Sequence, residues 1–308
     1  MRKTLISIVA ALACVFASAQ DDAAAFKARY ERQVRNVGAA GVGVETILTR
    51  WEEAFPEDPA VMEGFYKFWF AKSLGSAVVT RDTRRYLGKD PMFSLRDSTG
   101  KERFYFEDNV FVDSLFALSQ TYIDRAIATE PCELSYRVDK VTSLMLYEKE
   151  SPDMATQELL KLIDFQRKSH PEWTYLGLAV DDATFVQTIQ EYCHNFFQYA
   201  TPGSYDAFKT VSEAMLKLYP KDTSFINNIG SYWLVYKQNP RKALQWYNKA
   251  LKIDPKDYNA AKNCVILARK EKDSRLEKKY LPYLIAATDS DLERSACEAR
   301  LESLTKKK

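Results

Sequence analysis

Glu191 and His194 form the pair with the most chemical promise, because three residues of helix put a carboxylate and an imidazole on one side, as in metal sites shared among four helices. A complete site needs a second such pair. The sequence has two histidines and no second ExxH, and the other histidine, His170, stands alone. Gln187, Gln190 and Gln198 share the polar side of the same segment, so a solvated or groove-lining imidazole is the preferred reading. HExxH, GxSxG, a phosphate loop and GxGxxG are all absent, and scattered Asp and Glu pairs are too common to diagnose an enzyme. No catalytic residue, metal or cofactor is assigned.

The cysteines lead to the same conclusion. Beyond Cys14 they are Cys132, Cys193, Cys264 and Cys297, far apart and without a CxxC pair, which argues against zinc. All but Cys132 fall in apolar helical patterns, so buried free thiols are preferred to disulfides, although four cysteines would allow three pairings. A cationic cluster of Arg81, Arg84, Arg85 and Lys89 surrounds Tyr86. It suits either an anionic ligand or acidic surface, or plain solvation.

The chain starts with Arg2 and Lys3, continues through an apolar run from Leu5 to Phe16 and reaches Ala17, Ser18 and Ala19, the pattern of a secretory signal. Cleavage is expected near Ala19, with a periplasmic or secreted product; lipidation at Cys14 is the lesser alternative, since that residue lies inside the apolar run. The run is shorter than the roughly 20 apolar residues of a spanning helix, and no later segment qualifies. Loss of residues 1–19 removes two of 44 cations and leaves them equal to the 42 carboxylates, unlike the basic footprint of a nucleic-acid binder.

The elements that would position these residues are helices. From Tyr219 to Asp257 the sequence reads as a complete helix pair. Phe225, Ile226, Ile229, Gly230, Tyr232, Trp233 and Tyr236 recur at helical spacing in the first helix. Ala243, Tyr247 and Ala250 line one face of the second, which Pro255 follows. Tyr219-Pro220-Lys221-Asp222 is echoed by Asp254-Pro255-Lys256-Asp257. Phe55, Pro56 and Trp69 repeat the interval from Tyr219 and Pro220 to Trp233, and Ser119, Ile123, Ala126 and Pro131 repeat that of Ala243, Tyr247, Ala250 and Pro255.

The order Gly230, Ala243, Tyr247, Ala250, Pro255 resembles the tetratricopeptide repeat (TPR), with one residue more than usual between Gly230 and Ala243. The resemblance covers one clear repeat and several degenerate ones. It implies an all-α fold, a helix-hairpin solenoid or TPR-like superhelix. Ahead of it lie the signal (1–19) and capping helices with a first repeat helix (20–74). The insertion 75–112 interrupts a helix pair, with a β-hairpin of Met92–Arg96 and Glu102–Phe106 around Asp97–Gly100. Degenerate pairs (113–219), the clearest repeat and following helix (220–270) and capping helices with a basic tail (271–308) complete the chain. Ser151 and Pro152 are expected to open one helix, as cap and first-turn proline, and Asp181 or Asp182 to cap another.

By the same resemblance a protein or peptide partner would lie on the concave surface of first helices, where Ser224, Asn227, Ser231, Asn259, Lys262 and Asn263 fall. Each of these is also an ordinary polar residue. The leading expectation is an exported, non-catalytic scaffold. The alternative is a glycan-binding or glycan-processing accessory using Trp173, Tyr175, Tyr86 and Phe104, which would have to stand in solvent in one cleft. Oligomeric state is not legible.

Overall fold

A computed structural model describes residues 23–306, and the predicted signal segment and last two lysines lie outside them. The fold is all-α, built of helix hairpins, with a small sheet inserted. Among the described residues no helix is long and apolar enough to cross a membrane. Two compact units divide the chain: one takes it as far as Tyr147 together with Glu172–Val180, the other Glu148–Pro171 and everything from Asp181 on.

The first unit begins with α1 (23–37), α2 (Val44–Ala54) and α3 (Pro59–Ser73). Proline opens α3, where its missing N–H costs nothing, and Asp58 caps it by accepting from Ala60 N–H at 2.9 Å. Trp51 donates to the other oxygen of Asp58 at 3.0 Å, and Val44, Leu48, Trp51, Val61, Phe65 and Phe68 form the core beneath. Helix α3 then runs directly into strand β1 (Leu74–Arg81). β2 (Phe93–Arg96) follows, and β3 (Glu102–Phe111) leads straight into α4 (Asp113–Thr129).

The strands pair antiparallel in the order β1-β3-β2, with Leu74 opposite Phe111, Arg81 opposite Phe104 and Phe93 opposite Tyr105. Val112 N–H donates to Ser73 O at 2.9 Å, so the sheet prolongs the α3–α4 hairpin. The expected β2–β3 hairpin is therefore present. β1 is a third strand that the sequence reading omits, because Gly75, Ser76 and Ala77 blur its alternation.

After α5 (Leu134–Glu148), this unit is completed by a short hairpin, β4 (Thr174–Tyr175) and β5 (Leu178–Ala179). Its two turn residues have positive φ, 52° at Leu176 and 76° at Gly177, the backbone of a tight hairpin turn. Buried Glu133 holds that turn by accepting from Leu176 N–H at 2.7 Å, Gly177 N–H at 3.1 Å and the Thr174 hydroxyl at 2.7 Å.

In the second unit come α6 (Asp153–Ser169), α7 (Asp182–Tyr199), α8 (Pro202–Leu218), α9 (Thr223–Ser231), α10 (Pro240–Ile253), α11 (Tyr258–Lys270), α12 (Ser274–Ala287) and α13 (Asp291–Lys306). From α7 onward, α7–α8, α8–α9, α9–α10, α10–α11, α11–α12 and α12–α13 pack as neighbours. Ile226, Ala243, Tyr247, Ala250, Ala261 and Cys264 form part of the core. Ser151 does not cap α6. Glu148 takes that place by accepting from Met154 and Ala155 N–H at 2.6 and 2.8 Å, because a carboxylate with two free oxygens satisfies two end donors at once. Asp181 caps α7 through Thr184 N–H at 2.8 Å.

The extra residue between Gly230 and Ala243 is absorbed at the end of α9. Tyr232–Tyr236 forms one π turn in which Lys237 N–H reaches Tyr232 O, five residues back, at 3.1 Å. The first-helix side chains up to Gly230 thereby keep their register against α10.

Candidate functional site

The groove between α7 and α9 starts from their capped ends. Asp222 accepts from Ser224 N–H at 2.9 Å and Phe225 N–H at 3.3 Å, which starts α9 beside the first turn of α7. An open groove of about 440 Å³ follows, with Ala183 and Val186 as its apolar part and Asp182, Gln187, Gln190, Asp222 and Ser224 as its polar part.

Its walls are held by polar contacts within the unit. Asp182 accepts from Gln166 at 2.6 Å and from the Tyr219 hydroxyl at 2.8 Å; burial, and then this bond, push the Tyr219 phenol up to about 12. Gln190 and Asn228 exchange amide hydrogen bonds at 2.9 and 3.2 Å, and Asn228 also donates to Ser212 at 3.2 Å. Cys193 lies 3.6 Å from the same hydroxyl, fully buried, and burial pushes its thiol up to about 12. A thiol with no exposed surface and a hydroxyl beside it serves as a packing group.

The sequence-derived partner candidates separate into exposed and committed groups. Ser224 is exposed on the groove rim and Asn259 is exposed on α11. Asn263 is half-buried. Asn227 is not on an open surface. It is 6 % exposed and donates to Asp257, the cap of α11, at 2.9 Å. Ser231 bonds the Tyr247 hydroxyl at 3.2 Å, and Lys262 is shared between the Tyr258 hydroxyl at 2.5 Å and Glu293 at 3.3 Å. These three hold neighbouring helices together. Asp182, Val186 and Asn228 are groove or supporting residues that the sequence reading missed, although Gln187 and Gln190 already marked the polar side of α7.

Glu191 and His194 are both exposed, and Gln198 donates to the His194 ring at 2.6 Å. Among the described residues no three His, Cys, Asp or Glu side chains gather as a metal site. Within the insertion, Arg81 lies over the Tyr86 ring at 4.3 Å, and that tyrosine is buried with its hydroxyl donating to Asp108 at 3.3 Å. Arg85 pairs with Asp90 at 3.6 Å, and Arg84 is exposed. Of the rings chosen for a carbohydrate, Trp173 and Tyr86 are interior, at 2 % and 8 % exposed, Phe104 is half-buried and Tyr175 is partly exposed. Cys193, Cys264 and Cys297 are buried free thiols and Cys132 is half-buried and free.

No protein-family model matches the chain, and no curated protein does. Among solved structures, that of Pseudomonas aeruginosa pilF is similar at 14 % identity over 62 % of this chain and 77 % of that one, with a TM-score of 0.38. The flexible tandem repeat domain of a bacterial cellulose synthase component is similar at 12 % identity over 86 % and 90 %, with a TM-score of 0.29. At those scores neither likeness bears on partner or activity.

Proposed function

We propose that the protein is an exported, non-catalytic scaffold of TPR-like helix hairpins that binds a protein or peptide in the groove between α7 and α9. The observation that carries this reading is the groove itself, whose apolar strip at Ala183 and Val186 is flanked by Asp182, Gln187, Asp222 and Ser224. An extended peptide needs such a surface: an apolar strip for alternate side chains, and amide and carboxylate groups for its backbone and charges. Export rests on the N-terminal pattern of cations, apolar run and small residues. The carbohydrate reading loses support with Trp173 and Tyr86 in the interior.

The test is recovery of a partner from envelope extract by the intact protein and by Val186→Arg, a change on the groove floor. A single protein recovered by the first and lost by the second supports the proposal. Recovery of nothing, or equal recovery by both, sinks it.

A further inference from the structure

The inserted sheet has two unlike faces, because successive side chains along a strand alternate. On one face Phe106 is 1 % exposed beneath Tyr86, the ring centroids 5.6 Å apart. The other face carries Val78 at 60 %, Phe93 at 46 % and Leu95 at 56 % exposed, and Tyr105 stacks on Phe93 at 4.7 Å. Register puts all four on that side: Val78 lies opposite Glu107, Phe93 opposite Tyr105 and Leu95 opposite Arg103. Phe93, Leu95 and Tyr105 adjoin one another on that face, with Val78 diagonal to Tyr105 across the strand pair, and such a cluster on a regular sheet marks an interaction surface, whereas single exposed apolar residues do not.

We propose that this face packs against the same face of a second copy of the chain, about a two-fold axis that passes by Tyr105 and runs across the strands. Charge selects both the occupant and the orientation. Arg103 and Glu107 stand two residues to either side of Tyr105, on the same face and with opposite sign. The axis lays β3 antiparallel over β3 of the other copy, so Arg103 comes over the partner's Glu107 and Glu107 over the partner's Arg103. Turning one copy to run parallel would set like charge on like charge, which is the repulsion that fixes orientation in specific interfaces.

Face-to-face sheets sit about 10 Å apart with strands within about 30°, which brings Tyr105 and Phe93 of both copies into the centre. Arg103 gives its Nε to Asp97 at 3.0 Å and its Nη1 to Asp82, so its Nη2 lies outside both pairs. Glu107 accepts from Ser76 at 2.7 Å through Oε1, so its second oxygen lies outside that bond. A membrane surface finds no surplus of cations here, because Arg103 and Lys101 are already paired with Asp82 and Asp97 and the remaining charge, Glu107, is a carboxylate.

Sedimentation velocity on the full chain over a concentration series tests the pairing. The unaltered protein is expected to shift from monomer to dimer, and Glu107→Lys and Arg103→Glu each to weaken the dimer about tenfold or more. An equimolar mixture of the two variants should recover it, since every crossed contact then joins opposite signs. Circular dichroism checks that each variant is folded. Because Arg103→Glu faces Asp82 and Asp97, a failure of that variant to fold leaves Glu107→Lys and Phe93→Ser as the paired readout, both expected to weaken the dimer. A protein that stays monomeric to about 100 µM overturns the proposal. So does a dimer indifferent to Phe93→Ser and Glu107→Lys, or folded charge variants whose mixture does not recover it. The outcome is separate from that of the groove, which lies in the other unit.

Discussion

A Cβ atom added to Gly230 would stand 2.4 Å from Cε1 of Tyr247 and 2.7 Å from its Cδ1. The backbone of α9 therefore lies directly against the tyrosine ring of α10, and that ring is fully buried. Burial also pushes the Tyr247 phenol up to about 12. This contact explains why glycine and tyrosine occur together in the clearest repeat.

Gly230→Ala is expected to destabilise the second unit by about 2–3 kcal/mol, since the added methyl meets a ring packed on every side. Tyr247→Leu in the same chain should recover part of that loss by removing the colliding edge. Chemical denaturation of the two single variants and the double variant gives the coupling directly. Independent, additive effects would contradict the contact.

The π turn at Tyr232–Tyr236 makes a second expectation. A π turn is an α-helix holding one extra residue, so removing Val235, an exposed residue within it, lets the backbone close as ordinary helix at a cost below about 1 kcal/mol. Removing Asn228 from α9 instead turns Ile229 and Gly230 away from α10 and should cost more than about 3 kcal/mol. Thermal unfolding of the two deletions separates these cases, and equal destabilisation would rule out the π turn as the place where the extra residue is absorbed.

The helix hairpins were legible because their signal is local: alanine, tyrosine and glycine at helical intervals, with aspartate and proline at the ends. Strand β1 was not, since Leu74 and Val78 point to one face while Ala77 and Val79 point to the other, and neither set stands out as polar. The β4–β5 hairpin was missed for lack of an Asn-Gly or Asp-Gly turn. Its signal is Tyr175-Leu176-Gly177, which repeats Tyr86-Leu87-Gly88, and both Leu-Gly pairs take positive φ. At the candidate site the polar side of α7 could be read, but the burial of both asparagines of α9 could not. Asn227 and Asn228 are adjacent, and their neighbours on α11 and α7 decide that both are buried.

Glu133 is expected to control the β4–β5 hairpin. Burial opposes its charge, but the hydroxyls of Ser135 and Thr174 and the amides of Gly177 and Leu176 outweigh it and hold the carboxyl below its ordinary value. A depressed folded value gives stability that is present above the unfolded value near 4.5 and is lost as pH falls through the folded one. Glu133→Ala should cost about 1–3 kcal/mol and release the hairpin, because the positive φ of Leu176 loses its hydrogen-bonded support. Hydrogen exchange at Leu176 and Gly177 reports this locally. Unchanged protection in the variant would show that the turn stands without the carboxylate.

Glu277 is nearly enclosed and takes Arg269 at 2.7 Å on one oxygen and Arg300 at 2.7 Å on the other, joining α11 and α13 to α12. Hydrogen bonding to Arg300 first, and to Arg269 after the opposing effect of burial, holds its carboxyl below the ordinary value. Glu277→Leu is expected to cost less than Glu277→Ala, because leucine fills the space while both arginines, each about half exposed, can turn to water. Denaturation of both variants checks the order. The reverse order would mean that the arginines cannot reach water past the leucine.

Asp139 provides the opposite sign. Burial drives its carboxyl up to about 6 from 3.8, with Lys67 opposing and Glu63 assisting. Between those values the folded chain binds the proton that the unfolded chain has released. The group's contribution is therefore complete below about 3.8 and disappears as pH rises through about 6. Above that the first unit carries a charge it holds poorly, so Asp139→Asn should stabilise it by about 1–3 kcal/mol at pH 7.5 and have little effect at pH 3.5. Melting curves of both proteins at the two pH values make the comparison. A variant that gains equally at both would show that the aspartate is held back by its shape and not by its charge.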